Sequence, residues 1–249
     1  MHFTRSSLSG LTGKLAPWFK HSLELADHLA FSSECVSCRL ECCNGPIPVC
    51  RDCFSRLDHP LEDELRYCLL AEHINCTILH ASALWYYELN GPVRALHRRL
   101  KYREGFRLGV RLGRLMGTQL DTQMRSKQLR FPDLIVPIPA HPVRERERGF
   151  NQAYVLAEGI SETTKIPVSS GLIKRIVLKE SQVGLGTEER KTNLYGAFTT
   201  TDVQLPTYQH LLLVDDVMTT GSTLRSAIET ISRDNNCQIS VALLAFAAQ

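Results

Sequence analysis

The chain has 249 residues, 43% of them hydrophobic, and a formal net charge of +3. That length accommodates one α/β domain of ordinary size with an added module, and the hydrophobic share suits a buried core. So small a charge neither demands nor excludes a polyanionic partner, while the lack of any run of about 18 apolar residues excludes a spanning helix. With no apolar N-terminal core of the secretory kind either, a cytoplasmic protein is expected.

Residues 1–33 carry Leu11, Leu15, Trp18, Phe19, Leu23, Leu25 and Leu29, which permit a helical lead with a poorly kept period and no assignable function. Composition then shifts: eight of the nine cysteines fall between Cys35 and Cys76. In a cytoplasmic chain an odd number of cysteines reads as thiols or metal ligands, not as a disulfide framework. Cys35-Val36-Ser37-Cys38 and Cys50-Arg51-Asp52-Cys53 are two C-x-x-C knuckles, each able to turn both sulfurs towards one tetrahedral Zn²⁺. Four thiolates close such a site, so the metal is expected to be structural. Cys42 and Cys43 compete as ligands, and unligated thiols are the alternative; Cys68 and Cys76, with His73 nearby, predict no second metal site. The module is assigned to residues 34–77.

Residues 78–249 read as the main domain. A strand is predicted over Ile78 to Tyr87, then a turn at Asn90-Gly91-Pro92, with Pro92 placed to open a helix whose Val93, Leu96, His97 and Leu100 share a face. A second helix spans Leu108 to Gln119, the polar segment Asp121 to Arg130 follows, and a strand covers Leu134 to Ile138. Asn151 caps a helix with Ala153, Leu156, Ala157 and Ile160 at i, i+3, i+4 and i+7, and a short strand is placed within Leu172 to Leu178. The runs Leu211 to Val214 and Val241 to Phe246 flank a helix carrying Leu224, Ala227, Ile228 and Ile231, a strand–helix–strand unit suited to a buried parallel sheet.

The segment His210 to Leu224 carries the clearest chemistry. An apolar strand ends in Asp215 and Asp216, a loop of Thr219, Thr220, Gly221, Ser222 and Thr223 follows, and a helix begins. A helix N-terminus at a strand's carboxyl end offers unpaired N–H groups and a positive dipole to a phosphate, while Gly221 permits close backbone approach. Carboxylates repel phosphate, so Asp215 and Asp216 are assigned to sugar hydroxyls and the five loop residues to the phosphate. The bland alternative is a polar strand end with a capped helix. Upstream, Val136-Pro137-Ile138-Pro139 leads into Arg144, Arg146 and Arg148. Arg144 and Arg148 suit a pyrophosphate and Arg146 the adjacent glutamates, against the competing reading of a solvated mixed-charge face. Gly184 and Gly186 make the 180s a candidate hood carrying Gln182, Arg190 and Lys191, or a plain surface loop; Lys101 reaches a phosphate or is solvated beside Arg98, Arg99 and Arg103.

The Asp215 to Thr223 pattern resembles the motif of type I phosphoribosyltransferases that binds 5-phosphoribosyl-1-pyrophosphate (PRPP). With Arg148-Gly149-Phe150-Asn151-Gln152 after a Pro-x-Pro loop, the stretch Arg175, Gln182, Leu185, Arg190, Asn193, Gly196, Ala197 and Phe198, and Leu100-Lys101-Tyr102, the chain is similar to the ComF family from about Cys35 onward. The resemblance implies a type I phosphoribosyltransferase fold, a mostly parallel sheet flanked by helices, behind a small N-terminal zinc-binding module. It implies Mg²⁺–PRPP as ligand and transfer of the phosphoribosyl group to an acceptor nitrogen with release of pyrophosphate; Asp216, as a carboxylate under the ribose, is the candidate to steady positive charge there. It also implies natural competence, with single-stranded DNA and a competence helicase as partners. A non-catalytic nucleotide-sensing or DNA-binding module is the alternative, supported modestly by the basic stretch His97 to Arg103 with Tyr102.

Overall fold

The computed structural model describes residues 34–40, 45–69, 76–102, 105–176, 197–201, 209–233 and 237–248. The expected lead over residues 1–33 lies outside them. At the centre is a four-stranded sheet, every neighbouring pair parallel, in the order β1-β6-β5-β2, formed by β1 (Ile78–Tyr86), β2 (Leu134–Pro137), β5 (His210–Met218) and β6 (Gln238–Phe246). Because side chains alternate across a strand, Leu211 and Leu213 enter one buried cluster and Leu212 and Val214 the other. Both faces are covered, as unbroken apolar runs require.

On one face lie helix α2 (Glu62–Leu69), helix α7 (Ser222–Ser232), and a two-stranded antiparallel ribbon of β3 (Ile173–Arg175) and β4 (Phe198–Thr200). The strand expected within Leu172 to Leu178 is thus a short ribbon strand, outside the main sheet. Helix α2 was not legible in the sequence, although Leu65 and Leu69 are fully buried at one face of it. The other face holds helices α3 (Pro92–Leu100), α4 (Gly105–Ser126) and α6 (Gln152–Thr164). The cysteine module joins them: Cys35, Ile47, Val49 and Cys53, the last in the single-turn helix α1 (Arg51–Phe54), share a cluster with Trp85 and Leu96.

Helix α4 runs seven residues beyond the predicted Gln119, through the polar stretch. Met124 is fully buried there, and Arg125 Nε donates to Asp121 Oδ2 at 2.8 Å across one turn, so the stretch keeps both a core contact and an i,i+4 pair. Helices α4 and α6 touch backbone to backbone: a Cβ on Gly113 would lie 2.2 Å from the Leu156 carbonyl oxygen. The charged run before Gly149 forms a further short helix, α5 (Pro142–Arg148), opened by Pro142 and closed by Gly149 at φ 84°.

Strand β5 is anchored at its start by Asp133, whose Oδ2 accepts from the Gln209 and His210 amides, each at 3.0 Å, while Arg130 holds Oδ1 at 2.9 Å. Burial opposes the charge, but those two amides and Arg130 keep the carboxyl below its ordinary value. A depressed carboxylate contributes stability that is present above about pH 4 and lost as pH falls through the folded value. Asp133→Ala is therefore expected to destabilise by about 2 kcal/mol at pH 7. Urea unfolding should show the gap to the unaltered protein shrinking below about pH 4.

Candidate functional site

Strand β5 continues beyond the predicted Val214 through both acids to Met218, pairing Asp215 with Leu243 of β6. The carboxylates therefore project from a rigid strand. The loop then turns at Gly221, whose φ of 73° is left-handed and whose added Cβ would sit 2.9 Å from the Cys68 carbonyl oxygen; no other residue fits both constraints. Gly221 is the N-cap position of α7 and brings no capping side chain of its own; the first amide, Ser222 N, makes only a long contact to Thr220 Oγ1 at 3.5 Å. Thr220 Oγ1 lies 3.0 Å from Ser222 Oγ, and Arg225 Nη1 donates to both Thr220 O, at 2.8 Å, and Cys68 O, at 2.5 Å, fixing the turn from behind.

Asp215, Asp216, Thr219 and Thr223 line a cavity of about 380 Å³. Its opposite wall is the segment after β2: Ile138, Pro139, Ala140 and His141, then Arg144 and Arg148 of α5, then Asn151, Gln152 and Ala153 at the start of α6. Asn151 does two jobs, as its Oδ1 accepts from Ala153 N at 3.1 Å and its Nδ2 donates to Ile138 O at 2.9 Å. Phe150 stacks edge-on against Phe106, with ring centroids 6.1 Å apart, which joins this wall to α4. Arg146, expected to pair with its neighbouring glutamates, turns its Nε onto Pro142 O at 3.3 Å.

Three further side chains close the cavity: His97 and Lys101 from the end of α3, and Arg175 from β3. The sequence places His97 on an apolar helix face and at the start of a basic stretch, with no part in the ribose site; it is buried at that face. Its Nε2 lies 2.9 Å from Asp216 Oδ2, while Asp216 Oδ1 accepts from Val217 N at 2.7 Å, so both carboxylate oxygens are engaged. His97 Nδ1 has no partner among the described residues, which fits the tautomer carrying its proton on Nε2. Tyr87 meets the imidazole edge-on at 5.6 Å.

The electrostatics favour a highly charged anion. Burial pulls the Lys101 ammonium below its ordinary value and the nearby Arg148 adds to this, against the attraction of Asp216; burial likewise lowers Arg175, against Asp215. Four cationic side chains, Lys101, Arg144, Arg148 and Arg175, thus crowd one cavity with two carboxylates. The acids differ. Burial and then the charge of Asp216 push Asp215 well above the ordinary carboxylate range. Burial also opposes ionisation of Asp216, but the His97 hydrogen bond, the Val217 amide and Lys101 outweigh it and hold it low. His97→Ala is expected to weaken ribose-phosphate binding at least about tenfold, and His97→Gln, which keeps a donor at the same reach, to restore most of it; calorimetric titration of the two variants checks this.

Away from this cavity, the Sγ atoms of Cys35, Cys38, Cys50 and Cys53 all lie within 4.8 Å of one another, with Cys38 and Cys50 3.6 Å apart. The edge of a zinc–sulfur tetrahedron is about 3.8 Å for bonds of about 2.3 Å. Burial raises the Cys35 thiol, but the Cys50, Cys38 and Ser37 amides overcome it and bring it down to about 6. Burial and the crowding of Cys50 and Cys38 push Cys53 up to about 12. Four sulfurs so placed ionise together only around a cation, and the amides aimed at Cys35 are the outer support such a site needs.

Gln182, Arg190 and Lys191, the hood candidates, lie outside the described residues, as do Leu185, Asn193, Gly196, Arg103, Cys42, Cys43 and His73. Cys68 and Cys76 are remote from the four-cysteine cluster and pack against the core on the α2 and α7 face.

Residues 147–249 match the phosphoribosyl transferase domain. Competence protein F of Haemophilus influenzae is 31% identical over 208 residues, covering 79% of this chain and 83% of its own. The DNA utilization protein YhgH of Salmonella typhimurium is 34% identical over 118 residues, 47% of this chain and 51% of its own. Competence protein ComFC of Bacillus subtilis is 35% identical over 102 residues, 39% of this chain and 38% of its own. No helix among the described residues is long and apolar enough to cross a membrane.

Proposed function

The chain belongs to the ComF family, being similar to competence protein F over most of both chains, and on that premise we propose that its cavity binds PRPP, or a close relative carrying a ribose 5-phosphate, in the service of natural competence. One observation carries the reading. A pair of strand-end carboxylates, an uncapped helix N-terminus and four cationic side chains belong to a single cavity and its rim. Asp215 and Asp216 accept the ribose hydroxyls, Thr219, Thr220, Gly221, Ser222 and Thr223 wrap the 5-phosphate, and Arg144, Arg148 and Lys101 receive the pyrophosphate, with Gln182 and Arg190 as a hood. The Mg²⁺ that accompanies PRPP supplies charge neutralisation, and Asp215 and Asp216 are the carboxylates of the wall suited to it. Zn²⁺, held by Cys35, Cys38, Cys50 and Cys53, is structural.

If the chain is a transferase, an acceptor nitrogen bonds to C1 of the ribose as the C1–O bond to pyrophosphate breaks. Positioning and neutralisation of the leaving group then carry the rate. Asp216, kept ionised by its His97 partner, steadies positive charge as it grows on the sugar. The test is calorimetric titration with Mg²⁺–PRPP beside an Asp215→Asn, Asp216→Asn variant, followed by pyrophosphate release over a panel of bases. Binding lost in the variant supports the reading; release then identifies an enzyme, and binding without release a sensor. No binding by the unaltered chain overturns it.

A second observation favours a DNA-binding role beside the first. Between the cysteine module and α3 runs a concavity of about 370 Å³ lined by Glu34, Arg39, Arg98, Arg99 and Tyr102, the last 67% exposed. Single strands bind where cations follow the backbone and an aromatic ring stacks on bases. Single-stranded DNA in this groove, delivered from a competence helicase, fits the family premise. A labelled oligonucleotide should bind with a steep salt dependence and lose at least about tenfold in affinity on Tyr102→Ala.

A further inference from the structure

Gln152 stands out among the cavity residues. It is 3% exposed, its Oε1 accepts from Arg148 Nη1 at 2.7 Å, and its Nε2 has no partner among the described residues although the residue lines the cavity. The Arg148 contact fixes the amide's sense: a guanidinium only donates, so the atom it meets is the oxygen and the atom left over is the NH₂. A buried donor without an acceptor is unfavourable, which a cavity wall tolerates when a ligand supplies the acceptor. Asn151, next to it, differs in that its Oδ1 already accepts from Ala153 N and one of its two N–H donors already meets Ile138 O.

We infer that Gln152 is a pyrophosphate-reading residue, donating from Nε2 to a pyrophosphate oxygen and thereby separating PRPP from ribose 5-phosphate. The inference rests on the PRPP reading of the cavity. The wall holding Gln152 also presents Arg144 and Arg148, both suited to an oxyanion that only accepts. Sugar hydroxyls instead find acceptors at Asp215 and Asp216, on β5.

Two variants test this. Gln152→Glu keeps the oxygen that meets Arg148 and turns the donor into a second acceptor; Gln152→Met removes both without changing the length. Titrations with PRPP, inorganic pyrophosphate and ribose 5-phosphate, at unchanged melting temperature, should show PRPP and pyrophosphate at least about tenfold weaker in both variants. Ribose 5-phosphate should stay within about twofold in the Met variant. Equal loss of all three ligands assigns Gln152 to packing and overturns the inference, as does unchanged pyrophosphate binding in a protein that still binds PRPP. If the unaltered chain binds none of the three, the PRPP reading falls and takes this inference with it.

Discussion

Asp215→Asn is expected to raise the melting temperature by about 2–4 °C at pH 7.5 while weakening ribose-phosphate binding at least about a hundredfold. Asp215 lies on the strand beside Asp216, and its Oδ1 accepts the Asp216 amide at 2.9 Å. Asparagine keeps that oxygen and removes a charge that burial and Asp216 both oppose. Binding then suffers because a neutral amide is a poorer acceptor for two hydroxyls. The sign with pH is fixed by the upward shift: a group raised on folding contributes stability that is full below its ordinary value and lost as pH rises through the folded one. The advantage of the variant should therefore vanish near pH 4 and grow towards pH 8. Melting curves across that range decide it, and an equal gain at pH 4 would sink the explanation. A carboxylate in this position works against stability.

The second large effect concerns the four-cysteine cluster. One zinc per chain is expected by elemental analysis. Cys35→Ser should abolish it and lower the melting temperature by at least about 10 °C, since Cys35 and Cys53 are buried with Trp85 and Leu96 in the cluster that covers one face of the sheet. Loss of the metal thus reaches beyond the module, because Ile47 and Val49 lose their support against the same helices. Cys42→Ser and Cys43→Ser should leave the zinc content unchanged. Retention of metal in Cys35→Ser would reassign the ligands to that second pair.

What the sequence disclosed was mostly local. The strand, acids, loop and helix of residues 210 to 231 are continuous in the chain, so each residue's chemistry could be read from its neighbours, and the structure puts Asp215, Asp216, Thr219 and Thr223 in one cavity with Arg144, Arg148 and Lys101. The two C-x-x-C knuckles gave the four converging sulfurs for the same reason. His97 was missed because its partner, Asp216, is 119 positions away; the available hint was a histidine on an apolar face one turn before Lys101. Arg175 was noted for its family pattern, not for its position opposite Asp215. Helix α2 begins with three consecutive acids, Glu62, Asp63 and Glu64, and buries little but Leu65 and Leu69, so its period is too short to read. The end of α4 was misjudged because tertiary burial of Met124 and the Asp121 pair override a polar composition.

The contacts of Arg225 bear on where this protein can be cut. Its guanidinium ties the turn at Thr220 to the carbonyl of Cys68, which belongs by composition to the cysteine-rich segment of the chain. Leu65 and Leu69, on the same helix, plug the sheet's face. A fragment beginning at β1 would keep the whole sequence of residues 219–223 yet lose the backing that shapes that loop, together with two plugs of its core. The shape of this cavity wall therefore depends on the cysteine-rich segment as well as on the main domain, and a shuffled or trimmed version would carry it only if residues 62–69 travel along.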